Sequence, residues 1–379
     1  MRIFGNGALA LLVAGALAAP TQARAQVQIE EENTGIGTAA AEFLLLGAGA
    51  RGMALGPSYA ALVRDVESTY YNPAGLPLME GPQAELSMMS YFAETDYVWA
   101  GFGLPLANGE FGLGLSLGSF GFSDAPVFRE GDPEGEEGLL YDVRQTAIGL
   151  SFAHAFIDRF TGGVTLKYIS DQLGQTEASG FAVDVGTNFH TEWNGRPIAL
   201  AFVIQNLGST LQHSGAGLQF NELPEGTDEL PVTAVDPFAA RFLASDFTLP
   251  IAFRVGVSYD VLSNDANRLS LLGQFSEVSN INQPGFGFAG EYEWTPVDLP
   301  VAVALRGGYE FQSDNDVSEG EQASFGATVA EAENEGMDGL ALGGGLEYNL
   351  GDYGLGFDYA YRHFGVLGSR NVFSVSFGW

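Results

Sequence analysis

The charged residues of this chain occupy two kinds of setting, and the difference limits the chemistry they could do. One set sits singly inside segments that are otherwise apolar or small: Lys167, Asp184, Arg254, Glu291, Glu293, Arg306, Glu310, Asp358 and Arg362. Isolated acids and bases at such positions can pair across a polar interior, or they can line a route for polar solutes. Pairing that anchors another part of the chain is the reading favoured here. The second set is clustered and acidic. Residues 123–138 hold Asp124, Glu130, Asp132, Glu134, Glu136 and Glu137 against Arg129, and residues 313–338 hold eight acids and no base. Hard cations seek clustered carboxylate oxygens, but neither stretch has the D-x-[DN]-x-[DN]-G spacing of a calcium loop. Solvated loops are the expectation, with no metal and no cofactor. Catalysis finds little support either. His154, His190, His213 and His363 are scattered, without H-E-x-x-H spacing, and no G-x-S-x-G elbow is present, so the chain is not expected to be an enzyme.

The elements carrying the isolated charges have a period of two. Phe111, Leu113, Leu115 and Leu117 alternate with Gly112, Gly114, Ser116 and Gly118. Ile251, Phe253, Val255, Val257 and Tyr259 alternate with Ala252, Arg254, Gly256, Ser258 and Asp260, and Leu355, Phe357, Tyr359 and Tyr361 with Gly356, Asp358, Ala360 and Arg362. Lipid-facing barrel strands put apolar residues outward and small or polar ones inward. A soluble sandwich also alternates, but here the charges fall on the face opposite the aromatic row.

Fourteen such segments can be placed: 84–93, 96–106, 109–122, 139–156, 160–171, 178–190, 196–207, 249–262, 268–278, 284–294, 299–312, 339–350, 353–363 and 371–379. Their connections largely alternate between tight turns, such as Ala107-Asn108-Gly109 and Gly351-Asp352, and long stretches at 123–138, 208–248 and 313–338. An even strand number with both termini at the short-turn side requires that parity. The expectation is an all-β fold, a 14-stranded antiparallel transmembrane β-barrel spanning residues 84–379, with both termini periplasmic.

Composition and the chain ends agree. The net charge is −32, Lys167 is the only lysine and cysteine is absent. Nucleic acid is excluded as a partner, because phosphate binding needs a basic face. Residues 1–25 read as a cleavable export signal: Arg2, an apolar run through Ala8–Ala19, then Ala23-Arg24-Ala25. No later stretch is apolar and long enough for a transmembrane helix. At the far end, Phe373, Val375, Phe377 and Trp379 alternate with small residues up to the terminus. This resembles the C-terminal assembly signal of bacterial outer-membrane proteins, which implies contact with the barrel-assembly machinery and with outer-membrane lipid.

Residues 26–83 fit neither strand nor simple loop, and within them Glu42–Leu76 stands apart. Asn is a favoured N-cap and Pro suits the first helical position, so Asn72-Pro73 can start a short helical turn that Gly75 could end in a left-handed conformation. Arg51, Arg64, Asp65 and Glu67 would face the lumen, where charges pair. Phe43-Leu44-Leu45, Gly49-Ala50-Arg51, Ala54-Leu55-Gly56, Ala60-Ala61-Leu62, Asp65 and Tyr70-Tyr71-Asn72-Pro73-Ala74-Gly75-Leu76 together resemble the PorV/PorQ family, within the superfamily of FadL-type barrels. That family's Asn-Pro-Ala motif falls on Asn72, Pro73 and Ala74. Two departures are Arg64-Asp65 in place of an acidic pair and Pro57-Ser58 in place of a glycine-rich turn. The resemblance implies a fourteen-stranded barrel closed by an N-terminal hatch. FadL-type barrels imply passage of a hydrophobic ligand through an outer pocket and a gap in the wall, for which the glycines of Gly118-Ser119-Phe120-Gly121 offer a kink. PorV implies docking of secreted proteins on the outer loops for type IX secretion.

Overall fold

The computed structural model describes residues 39–128, 138–222, 238–279, 284–312 and 339–379. Residues 1–25, read from sequence as an export signal, and the acidic stretches 129–137 and 313–338 lie outside the described residues.

Fourteen strands form the wall. They are β1 (Gln83–Ser90), β2 (Asp96–Leu106), β3 (Phe111–Pro126), β4 (Leu140–Ile157), β5 (Phe160–Leu173), β6 (Thr176–Trp193) and β7 (Arg196–Gly208). The second half comprises β8 (Ala252–Asn264), β9 (Asn267–Val278), β10 (Pro284–Trp294), β11 (Val301–Gln312), β12 (Leu340–Leu350), β13 (Tyr353–His363) and β14 (Ser369–Gly378). Each pairs antiparallel with the next in sequence. β7 meets β8 directly, with Gln205 opposite Ala252 and Ile198 opposite Tyr259, despite the long connection between them. β14 returns to β1, with Val375 opposite Leu86, so the sheet has no free edge.

The alternation sorts the two faces as its period requires. Leu115, Leu150, Leu166, Phe202, Phe288 and Leu305 point outward, each more than half exposed. Leaving such side chains in water would forgo roughly 1.5–3 kcal/mol apiece. A continuous belt of them around a closed barrel is stable only in lipid, and the protein is a transmembrane β-barrel.

The tight connections lie at one end. Asn194-Gly195 joins β6 to β7 with both residues at positive φ, as a two-residue hairpin requires. At the opposite end the connections range from the two-residue Gly174-Gln175 turn between β5 and β6 to the long connection between β7 and β8. In the chain between β7 and β8, the short strand Gln219–Glu222 pairs antiparallel with Phe238–Arg241. The segment Gly118–Gly121 does not open the wall. Ser119 lies in register between Val98 of β2 and Thr146 of β4, and Gly121 between Asp96 and Arg144. The irregularity in β3 falls later, between Phe122 and Ala125. A second wall irregularity occurs where β6 meets β7, between Val183 and Val185.

Residues 39–82 lie against the inner face. They form 3-10 turns at Glu42–Leu45, Gly56–Tyr59 and Pro73–Leu78 and two short helices, α1 (Ala50–Ala54) and α2 (Ser68–Tyr71). Such short pieces leave many backbone groups unpaired within the helices, and side chains take them up. The Tyr70 hydroxyl donates to Leu44 O at 2.7 Å and accepts from Gly47 N at 3.0 Å, while the Tyr71 hydroxyl accepts from Ala48 N at 3.1 Å. The segment runs between the two ends of the barrel. Ala40 N donates to Thr248 O (2.9 Å), just before β8 at the long-loop end, whereas Pro77 O lies against the tight turn at Gly109.

Candidate functional site

The wall admits this segment where its inward residues are glycines. A Cβ built on Gly163 would come within 2.6 Å of Pro73 C, on Gly287 within 2.5 Å of Ser58 Oγ, and on Gly308 within 2.8 Å of Leu55 O. At Gly163 and Gly308 the backbone of the inner segment thus lies directly against the backbone of the wall.

The Asn72–Gly75 elbow is fastened from both sides. Asn72 Oδ1 accepts from Ala74 N at 3.1 Å, the N-cap arrangement expected before Pro73. Its Nδ2 donates to Ala60 O at 2.9 Å and to Thr187 O of β6 at 3.2 Å. Thr161 of β5 donates its hydroxyl to Ala74 O at 2.7 Å. Gly75 departs from expectation. It does not end the turn, which continues through Leu78, and it is absent from the residues at positive φ. Its role is close approach: a Cβ there would lie 2.5 Å from Ser68 Oγ and strike the Val63 carbonyl.

A charge network ties the segment to β10, β11 and β13. Arg51 on α1 donates to Glu291 Oε2 at 2.8 Å through Nε and to Glu291 Oε1 at 2.6 Å through Nη2, a bidentate pairing. It also meets Glu293 at 3.2 Å and Asp65 at 3.0 Å. Arg306 shares Glu291 at 2.6 Å and pairs with Asp358, and Arg362 reaches Glu310 at 3.3 Å. Lys167 forms a separate buried pair with Asp184 at 2.7 Å. Arg254 faces inward and is buried, but it forms no ion pair among the described residues. Of the four charges read from the segment, Arg51, Asp65 and Glu67 are hydrogen-bonded, whereas Arg64 is solvent-exposed and makes no ion pair among the described residues.

Several participants were not singled out by sequence. The irregularity beside Asp184 turns Gln205 and Asn206, with Asn206 at φ 61, both toward the interior. Gln205 donates to Tyr70 O, and Asn206 Oδ1 accepts from Lys167 Nζ at 2.8 Å. A non-glycine residue at positive φ has no signature in period-two alternation. Inside the barrel, Ala41, Phe43, Leu44, Ile169, Leu211 and Leu249 belong to one buried apolar cluster that also takes in Leu76 and Met79. Beside it, Gly47, Ala48, Met53, Met89, Tyr97 and Val372 line a small recess. Among the described residues no metal-binding cluster is found.

The terminal strand alternates as expected. Phe373, Val375 and Phe377 point outward, and Trp379 stacks on Phe377 at 5.6 Å and Phe102 at 6.0 Å between ring centres. Trp379 N donates to Pro82 O at 3.0 Å, fixing the chain end where the inner segment enters β1.

The described residues thus form a closed fourteen-stranded barrel with residues 39–82 packed inside it. No protein-family model and no curated protein matches the sequence. Solved structures share the fold. The Ralstonia pickettii toluene transporter TbuX superposes with a TM-score of 0.50 at 14% identity, covering 88% of this chain and 98% of that one. The Pseudomonas putida toluene transporter TodX superposes with a TM-score of 0.52 at 11% identity, covering 87% and 97%. At these identities the likeness concerns fold alone.

Proposed function

We propose that this protein resides in the bacterial outer membrane and passes hydrophobic small molecules through a barrel that residues 26–83 close as a hatch. The observation that carries the reading is the apolar cluster buried inside the barrel, to which Phe43, Leu44, Ile169, Leu211 and Leu249 belong, where an open aqueous channel would hold water. The shared fold of the toluene transporters supports the same direction. Residues 1–25 act as the export signal, and Phe373, Val375, Phe377 and Trp379 as the assembly signal. Of the lumen charges, Glu291 and Glu293 seat the hatch by pairing with Arg51, whereas Lys167–Asp184, Arg306–Asp358 and Arg362–Glu310 brace wall strand against wall strand. No observation favours a PorV-like role in type IX secretion, whose outer-loop contacts would fall largely outside the described residues.

Native mass spectrometry of detergent-purified protein tests the proposal. A co-purified apolar ligand is the expected result, and a spectrum of bare protein after extraction in several mild detergents would count against it.

A further inference from the structure

Two acids at the seam between the inner segment and the wall have no base of their own. Glu67, at the start of α2, is 1% exposed, and Glu85, on β1, is 9% exposed. Both carboxyl groups crowd Gly49: a Cβ there would strike Glu67 and come within 2.7 Å of Glu85 Oε1. The two carboxyls therefore converge on the same space beside Gly49. Glu67 Oε2 already accepts from Gly52 N at 2.9 Å, while Glu85 Oε1 is buried with no hydrogen-bond partner.

The surroundings do not neutralise the pair. From the inner segment Asp65, Tyr59 and Tyr71 face Glu67, from β13 Asp358 adds a negative charge, and the one nearby base on the segment is Arg51. That guanidinium is committed to Glu291, Glu293 and Asp65. Two ionised carboxylates offer only acceptors to one another, so a hydrogen bond between them requires a shared proton.

We propose that Glu67 and Glu85 form a proton-dependent latch, in which one shared proton holds the inner segment to β1 and its loss sets two buried negative charges against each other and frees the segment. The proposal rests on the reading of residues 39–82 as a hatch. Burial, with Glu85 and Asp65 adding to it, holds the Glu67 carboxyl above the usual carboxylate range. The seated state therefore binds more protons than the released state. Seating is strongest below the ordinary carboxylate pKa and weakens as pH rises through the raised one.

Planar-bilayer current of the full-length protein between pH 6 and pH 9 tests the latch, with the 28–76 deletion as the open reference and heat-modifiable gel mobility as the check on assembly. Wild-type current should rise with pH, by up to about tenfold per unit for one proton. Glu67→Gln should stay closed throughout, because the amide donates to Glu85 while its oxygen still accepts from Gly52. Glu85→Gln should do the same from the wall side. A wild-type current flat with pH beside a conducting deletion overturns the latch alone, as do two assembled glutamine variants that keep the wild-type slope. A deletion no more conductive than wild type overturns the hatch and the latch with it.

Discussion

Replacing Asn72 by alanine should loosen the inner segment without touching the barrel's lipid face. Asn72 is fully buried and makes three hydrogen bonds, one to Ala74 N, one to Ala60 O and one to Thr187 O. Loss of the N-cap costs about 1 kcal/mol. Ala60 O would be left buried without its partner, adding about 1–3 kcal/mol. Thr187 O sits within the β6 ladder, so its loss is counted as nothing. The total is about 3 kcal/mol, enough to shift a seated-to-released equilibrium by roughly 150-fold. Single-channel recording on the assembled variant, normalised to wild type, measures that shift as open probability. Asn72→Ser offers a control, since the hydroxyl restores the cap but not the reach to Ala60. It should recover about 1 kcal/mol, near a fivefold reduction in opening relative to alanine. An alanine variant that is assembled and as closed as wild type would refute the reasoning that the elbow holds the segment in place.

Two further outcomes follow from the wall. Lys167→Ala strands Asp184, which has no exposed surface, and should cost about 3–5 kcal/mol; urea-unfolding midpoints in detergent should show the double variant Lys167→Ala with Asp184→Ala less affected than the single one. Trp379→Ser removes the stacking on Phe377 and Phe102 and the terminal aromatic, so outer-membrane levels on immunoblots should fall while secreted precursor remains; unchanged levels would contradict the assembly reading.

What could be read in advance depended on range. Strand number and the two faces are local properties of alternation, and Leu113, Leu115 and Leu117 declare a face without reference to any partner. Asn72-Pro73 is likewise a local signal, because an N-cap acts within two residues. Gly75 was misread for the opposite reason. Its conformation is ordinary, and what it needs is room beside Val63 and Ser68, which only the folded segment reveals. Gly163, Gly287 and Gly308 pass for small inward residues until strand register sets each opposite a particular stretch of the plug. The wall partners of Arg51, Glu291 and Glu293, lie 240 and 242 residues away in the chain, a distance over which no spacing rule operates. Gly118–Gly121 suggested a kink from composition, yet both neighbouring strands hold it in register.

The most direct measurement is the planar-bilayer conductance of the 28–76 deletion against the full-length protein, both verified as assembled by heat-modifiable mobility. An inner segment seated on β10 through Arg51 and on β5 and β6 through Ala74 and Asn72, acting as the proposed hatch, predicts a closed wild type and a large, stable current from the deletion. Equal currents from the two would contradict it.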